Sequence, residues 1–149
     1  MSDKEFAVRY RRHEDELQAL YLALYHGNRA AFEYFVQMLF RMYEARAKAL
    51  RQLDEKRLAD PGWYKGHELV GMLMYVKAFA GTLIGVREKL DYIEECGVNY
   101  LHLMPLLESP EGRSDGGYAV SDFRKVQPEL GTMDDLVALT EECHRRGIA

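Results

Sequence analysis

The chain has 149 residues, about one ordinary domain by length. Hydrophobic residues make up 48% and charged residues 30%, with 10 Tyr, 6 Phe and 1 Trp, which excludes disorder, collagen-like repeats and a coiled-coil rod. A net charge of −4 argues against a nucleic-acid partner, and no apolar run approaches the ~20 residues that span a bilayer.

The N-terminus (MSDKEFAVRYRRHEDEL) lacks the apolar core of a secretory signal, so a soluble, cytoplasmic protein without a membrane partner is expected. Cys96 and Cys143 give no disulfide framework and fit a reducing compartment, as ordinary half-buried thiols.

Residues 1–62 are expected to form a helical N-terminal domain. Leu17, Leu20, Tyr21, Leu24 and Tyr25 follow the spacing of one buried helical face, and Gly27-Asn28 breaks it. Phe32, Phe35, Val36, Leu39, Phe40 and Tyr43 form a second apolar stripe. A third, charged helix runs from roughly Arg46 to Leu58 and stops at Asp60-Pro61-Gly62. The aromatic stripe reads as core packing. A cofactor box would need His, Glu or Asp pointing inward at helical spacing, and the stripe has none.

From residue 63 onward the pattern changes. Residues 69–76 (LVGMLMYV) are an almost wholly apolar run, as expected of a strand buried on both faces. Thr82 is placed to cap a helix with Val86, Leu90 and Ile93 on its inner side, ending at Gly97. Residues 98–104 (VNYLHLM) form a second buried strand, closed by Pro105. A long loop is expected over 105–131, well above ordinary connection lengths and therefore a functional candidate. Thr132 and Asp135 make a weak form of the capping box, opening a helix with Leu136, Leu139 and Cys143 inward and Gly147 at its end. A further strand is expected to begin at Ile148-Ala149. Strand, helix, strand, helix implies parallel pairing with right-handed crossovers. A (β/α)8 TIM barrel needs ~250 residues, so 63–149 reads as its first two β/α units, truncated.

No metal signature is present. His67-Glu68 lacks a following His at the required spacing, and Cys96, Cys143 and His144 form no ligand set. There is no phosphate loop or dinucleotide fingerprint, Gly116-Gly117 reads as a turn, and no cofactor is called for. His102 reads as a core or barrel-lining side chain, with a general base as the alternative. The chemistry-bearing candidates lie in the long loop. Asp115, ahead of two glycines, fits an Asx turn, and Tyr118 fits a loop tyrosine resting on a neighbour; a site role is the alternative for each.

Residues 97–105 (GVNYLHLMP), 115–118 (DGGY) and 130–136 (LGTMDDL), with 144–148 (HRRGI), resemble the start of an α-amylase-superfamily barrel. Within it, YLHLMPLLESPEGRSDGGYAVSDFRKVQPELGT is similar to amylosucrase. The helical half, including Phe6-Ala7-Val8-Arg9 and 57–64 (RLADPGWY), resembles the helical domain that amylosucrases carry and that trehalose synthases lack. The resemblance implies a retaining glucosyltransferase that moves glucose from sucrose to an α-1,4-glucan and releases fructose, using an Asp nucleophile and a Glu acid/base. It implies that Asp115 holds the glucosyl ring and that Tyr118 is the platform beneath it. Its partners would be sucrose and an α-glucan acceptor, with a homodimer as a possible assembly.

The catalytic residues of that mechanism are expected beyond Ala149, so residues 1–149 alone are expected to be inactive. Lys77 and Ala78 depart from the family pattern, which has an acidic and a larger residue there. Thr82 stands for an expected Asp or Asn, all of which can cap a helix. Two other readings stay open: another enzyme of the superfamily, a hydrolase or of the trehalose synthase kind, and a non-catalytic relic that serves as an interaction module.

Overall fold

In the computed structural model, which describes residues 4–149, four helices occupy the first part of the chain. They are α1 (Lys4–Arg11), α2 (Glu14–Leu24), α3 (Arg29–Ala45) and α4 (Lys48–Ala59). The expected helix at residues 1–3 lies outside the described residues. The chain divides into two compact units, one ending at Pro61 and the other running from Gly62 to Ala149.

In the first unit, the aromatic stripe of α3 is packing material. Phe32 and Phe35 lie 5.4 and 5.2 Å from the Tyr21 ring, and Phe40 lies 5.2 Å from Phe6. Such ring pairs contribute beyond their buried area. Asn28 caps α3 by accepting from Ala31 N at 3.0 Å. Arg46 turns the chain out of the helix with extended ψ 128° and grips Asp54 of α4 with two bonds, 2.7 and 3.0 Å. Those bonds hold the Asp54 carboxyl below its usual range. Two expectations are corrected here. The first helix is broken at Arg12-His13, where no Gly or Pro marks the break. Leu20, Leu24 and Tyr25 are exposed, because α2 meets α3 through Tyr21 and a helix pair covers only the arc each turns to the other.

The second unit is built on β1 (Gly71–Met74) and β2 (Tyr100–Leu103), paired in parallel with Gly71 opposite Tyr100 and Met74 opposite Leu103. Ala149 continues the ladder on the far edge of β2, donating to Asn99 O at 2.9 Å and accepting from Leu101 N at 2.8 Å. Asn99 staples the strand starts together, accepting from Val70 N and donating to Glu68 O. The strands are shorter than expected: Val76 already belongs to a short helix, α5 (Val76–Ala80). They are also buried on one face only. Met72, Met74, Leu101 and Leu103 face the core, while Leu73 is 65% exposed and His102 is exposed.

The covering face comes from the crossover. Thr82 accepts from Gly85 N at 3.1 Å and so caps α6 (Leu83–Glu88), which leads into α7 (Leu90–Glu95). Lys89 bends the single helix expected here into two and bonds Phe79 O at 2.7 Å. Leu83, Val86, Leu90 and Ile93 are fully buried, and Gly97 ends the turn at φ +76°. The segment expected to be a loop holds a small antiparallel hairpin, β3 (Leu107–Glu108) and β4 (Asp122–Val126). It is invisible in the sequence because β3 has two residues and β4 is mostly charged, with Phe123 exposed. Next, α8 (Met133–Arg145) opens on a complete capping box between Thr132 and Asp135. It buries Leu139 and Cys143, and burial pushes the Cys143 thiol up, whereas Cys96 is exposed. Among the described residues, no helix is long and apolar enough to cross a membrane.

At the end of α8, Arg146 bonds Glu142 at 2.6 Å and both Asp91 and Glu94 of α7 at 2.5 Å. Hydrogen bonds from Arg145 first, and Arg146 second, hold the Glu142 carboxyl down from 4.5 to about 2. The unfolded chain takes up this proton near 4.5 and the folded chain only near 2, so the stabilisation is present above 4.5 and is lost as pH falls toward 2. Replacing Glu142 by Gln is therefore expected to flatten the acid side of a urea-midpoint against pH curve in that window, leaving its neutral-to-alkaline slope unchanged. A second test concerns α6. A Cβ on Gly85 would sit 2.2 Å from the Ala80 carbonyl oxygen, a backbone atom that cannot swing away. Alanine gains up to ~1 kcal/mol of helix propensity there, but the clash outweighs it. Gly85→Ala is expected to cost about 1–3 kcal/mol in urea unfolding.

Candidate functional site

The C-terminal ends of β1 and β2 lie beside the 105–131 segment, and a cleft of about 540 Å³ opens between them. Its walls come from Tyr75-Val76-Lys77 after β1, from Pro105 and the loop to Gly117, and from Gln127 to Leu130. Three anchors fix these walls to the core. Val76 and Leu130 are buried, and Leu83 N donates to Leu130 O at 2.9 Å. Gln127 staples the hairpin on both sides: its backbone N–H donates to Leu106 O at 2.9 Å, and its side chain accepts from Ser109 N at 3.1 Å.

The third anchor is the turn that holds the sequence candidates. Asp115, Gly116 and Gly117 form one 3₁₀ turn, with Gly117 N and Ala119 N both donating to Ser114 O at 2.9 Å. Asp115 itself has φ +47°, a left-handed conformation that Asp tolerates better than most residues. Gly117 has φ +93° and lies so close to Pro105 that a Cβ on it would be 2.9 Å from the proline Cβ. Only glycine meets both conditions, which is why the turn needs its second glycine.

Asp115 and Tyr118 are exposed, Tyr118 by 61%. They lie beside the cleft rather than on its wall: Ser114, Gly116 and Gly117 line it, and neither of the two does. His102 is on the open face of the sheet and Ala78 is exposed. Lys77 does line the cleft, and its Nζ reaches Glu129 Oε2 at 2.9 Å, across 52 residues of sequence. Sequence reasoning singled out Lys77 but missed Glu129, Ser109 and Gln127. Nothing local marks them, since only the fold brings the 127–130 segment to the end of β1. Among the described residues, no group of three or more His, Cys, Asp or Glu side chains is placed to hold a metal ion.

Comparison with known proteins finds a matching family. The alpha-amylase family, described as alpha amylase, catalytic domain, matches residues 27–149. Over 97 residues the chain is 43% identical to the trehalose synthase/amylase TreS of Mycobacterium tuberculosis, covering 60% of this chain and 16% of that protein. Over 93 residues it is 38% identical to an oligo-1,6-glucosidase of a Bacillus species, covering 58% of this chain and 18% of that protein. Isomaltulose synthase from Erwinia rhapontici, a variant solved with its natural substrate sucrose, superposes with a TM-score of 0.50 at 31% identity, over 58% of this chain and 16% of that one. The chain thus spans about a sixth of the length of the curated relatives it matches.

The Gly117–Pro105 contact yields a test of how the turn is held. Gly117→Ala adds both the clash and the left-handed strain, together above about 1 kcal/mol. Hydrogen exchange at the Ala119 amide, bonded to Ser114 O, is expected to quicken by roughly tenfold or more, while amides of α7 keep their wild-type rates.

Proposed function

The chain belongs to the alpha-amylase catalytic-domain family, and from that premise we propose that it is the amino-terminal part of an amylosucrase-like glucosyltransferase. Such an enzyme takes the glucosyl group of sucrose, releases fructose and extends an α-1,4-glucan. The observation that carries the reading is the turn 115–118, fixed by Gly117 on Pro105 at the C-terminal end of β2. Barrel enzymes of this architecture build their sites on the loops that follow the strand ends. The similarity of residues 100–132 and of the helical half to amylosucrase supports that subfamily over others.

In this reading Asp115 accepts hydrogen bonds from ring hydroxyls and Tyr118 offers a flat apolar face to the sugar. Both act by positioning, which is worth a large part of the barrier when the reacting atoms are held in line. The nucleophile and the acid/base of the retaining mechanism come from outside residues 1–149. The cleft beside the turn carries one cation, Lys77, and two carboxylates, Glu111 and Glu129. A neutral saccharide suits that balance better than a sugar phosphate with its added negative charge. A second reading, an isomerase of the trehalose synthase kind, is favoured by the 43% identity to TreS.

The test is to capture the native protein with an antibody against residues 1–60, incubate it with sucrose and analyse the products. Fructose with a growing α-glucan and little free glucose is the expected outcome. Equal glucose and fructose would indicate a hydrolase, an isomeric disaccharide would indicate an isomerase, and no turnover of sucrose would sink the proposal. In the recombinant enzyme, Asp115→Asn and Tyr118→Ala are each expected to lower kcat/KM for sucrose by ~100-fold, measured as fructose release.

A further inference from the structure

The cleft beside the 115–118 turn has a polar feature that the reading above leaves unused. Lys77 Nζ and Glu129 Oε2 meet at 2.9 Å on its wall, and both side chains are more than half exposed, 68% and 54%. An exposed pair of this kind contributes little to stability, so holding the fold together is a poor account of it. Its hydrogen-bonding capacity is the more telling property. An ammonium has three donors and a carboxylate about four lone-pair sites, so the one bond between them leaves capacity on each side. A donor and an acceptor set side by side match a vicinal diol, in which one hydroxyl accepts from the ammonium while its neighbour donates to the carboxylate. Ser109, Ser114 and Gln127 line the same cleft.

We propose that the Lys77–Glu129 pair is a saccharide-binding element that grips two adjacent hydroxyls of a sugar in this cleft. It is distinct from the ring contacts of Asp115 and Tyr118, which do not line the cleft. This inference rests on the saccharide reading of the site and adds a subsite to it. It also gives a role to the lysine that departs from the family pattern at the end of β1. Charged partners strengthen hydrogen bonds to hydroxyls and fix their direction, so the pair orients the ligand as well as holding it.

The test is calorimetric titration of sucrose, and separately of maltose, into the full chain and into Lys77→Met, Glu129→Gln and Asp115→Asn. Each of the first two is expected to weaken the affinity for at least one of these sugars by about tenfold, with unchanged circular dichroism and melting temperature. Mono-deoxy derivatives of that sugar then separate contact from mere shape. One derivative, lacking the hydroxyl that Lys77 holds, is expected to bind wild type and Lys77→Met equally. If Lys77→Met weakens every derivative by the same factor, the pair only shapes the wall and the inference is overturned. It is equally overturned if Lys77→Met and Glu129→Gln bind both sugars like wild type. In that case loss of binding in Asp115→Asn alone leaves the wider functional reading standing. No binding of either sugar by the wild-type chain overturns both.

Discussion

Everything in the second unit depends on the parallel pairing of β1 with β2. Parallel neighbours cannot be joined by a tight turn, so the chain must leave the end of β1, cross over and return in register. The crossover carries Leu83, Val86, Leu90 and Ile93, all fully buried, across the face that holds Met72, Met74, Leu101 and Leu103. Because the connection starts at the strand's C-terminal end, that end is where loops gather. The cleft and the 115–118 turn are both consequences of this topology.

The other face of the sheet shows the same constraint from the opposite side. Leu73 and His102, register partners on adjacent strands, are exposed together. Parallel strands are ordinarily covered on both faces, and Ala149 already pairs with the free edge of β2. The apolar run expected to be buried on both faces is covered on one face only, with Leu73 65% exposed on the other.

What the sequence disclosed and what it hid divide along a physical line. Signals that act within one turn were legible: Thr82 and Thr132 as caps, Gly97 as a stop, Val86, Leu90 and Ile93 as the inner side of the crossover. The parallel order followed from the alternation of strand and helix. Asp115 and Tyr118 were singled out through family resemblance, since neither period nor spacing distinguishes them from an ordinary turn. Features that depend on contacts between distant segments were hidden. The β3–β4 hairpin is too short and too charged to show a period of two, and the exposure of Leu20 and Leu24 depends on which side of α2 meets α3. The Lys77–Glu129 pair joins segments 52 residues apart, and each residue alone reads as a solvated charge.

The site combines a fixed wall with an exposed tip, and the two have different energetic origins. The wall is held by buried groups: Val76, Leu130, and the backbone bond from Leu83 N to Leu130 O that ties it to α6. Displacing it means opening the core, at a cost of several kcal/mol for side chains of this size. The tip is held by turn hydrogen bonds to Ser114 O and by the Gly117–Pro105 contact, while Asp115 and Tyr118 project beyond them into solvent. Segments with few buried contacts open at the low end of a protein's range of local stabilities. The exposed side chains of the tip are therefore less tightly held than the wall. On the proposed function, a sugar would enter as a hydrated polyol and exchange water for protein donors one hydroxyl at a time. On that proposal, the firmly held wall fixes where the sugar sits and the exposed acid and aromatic ring complete its contacts.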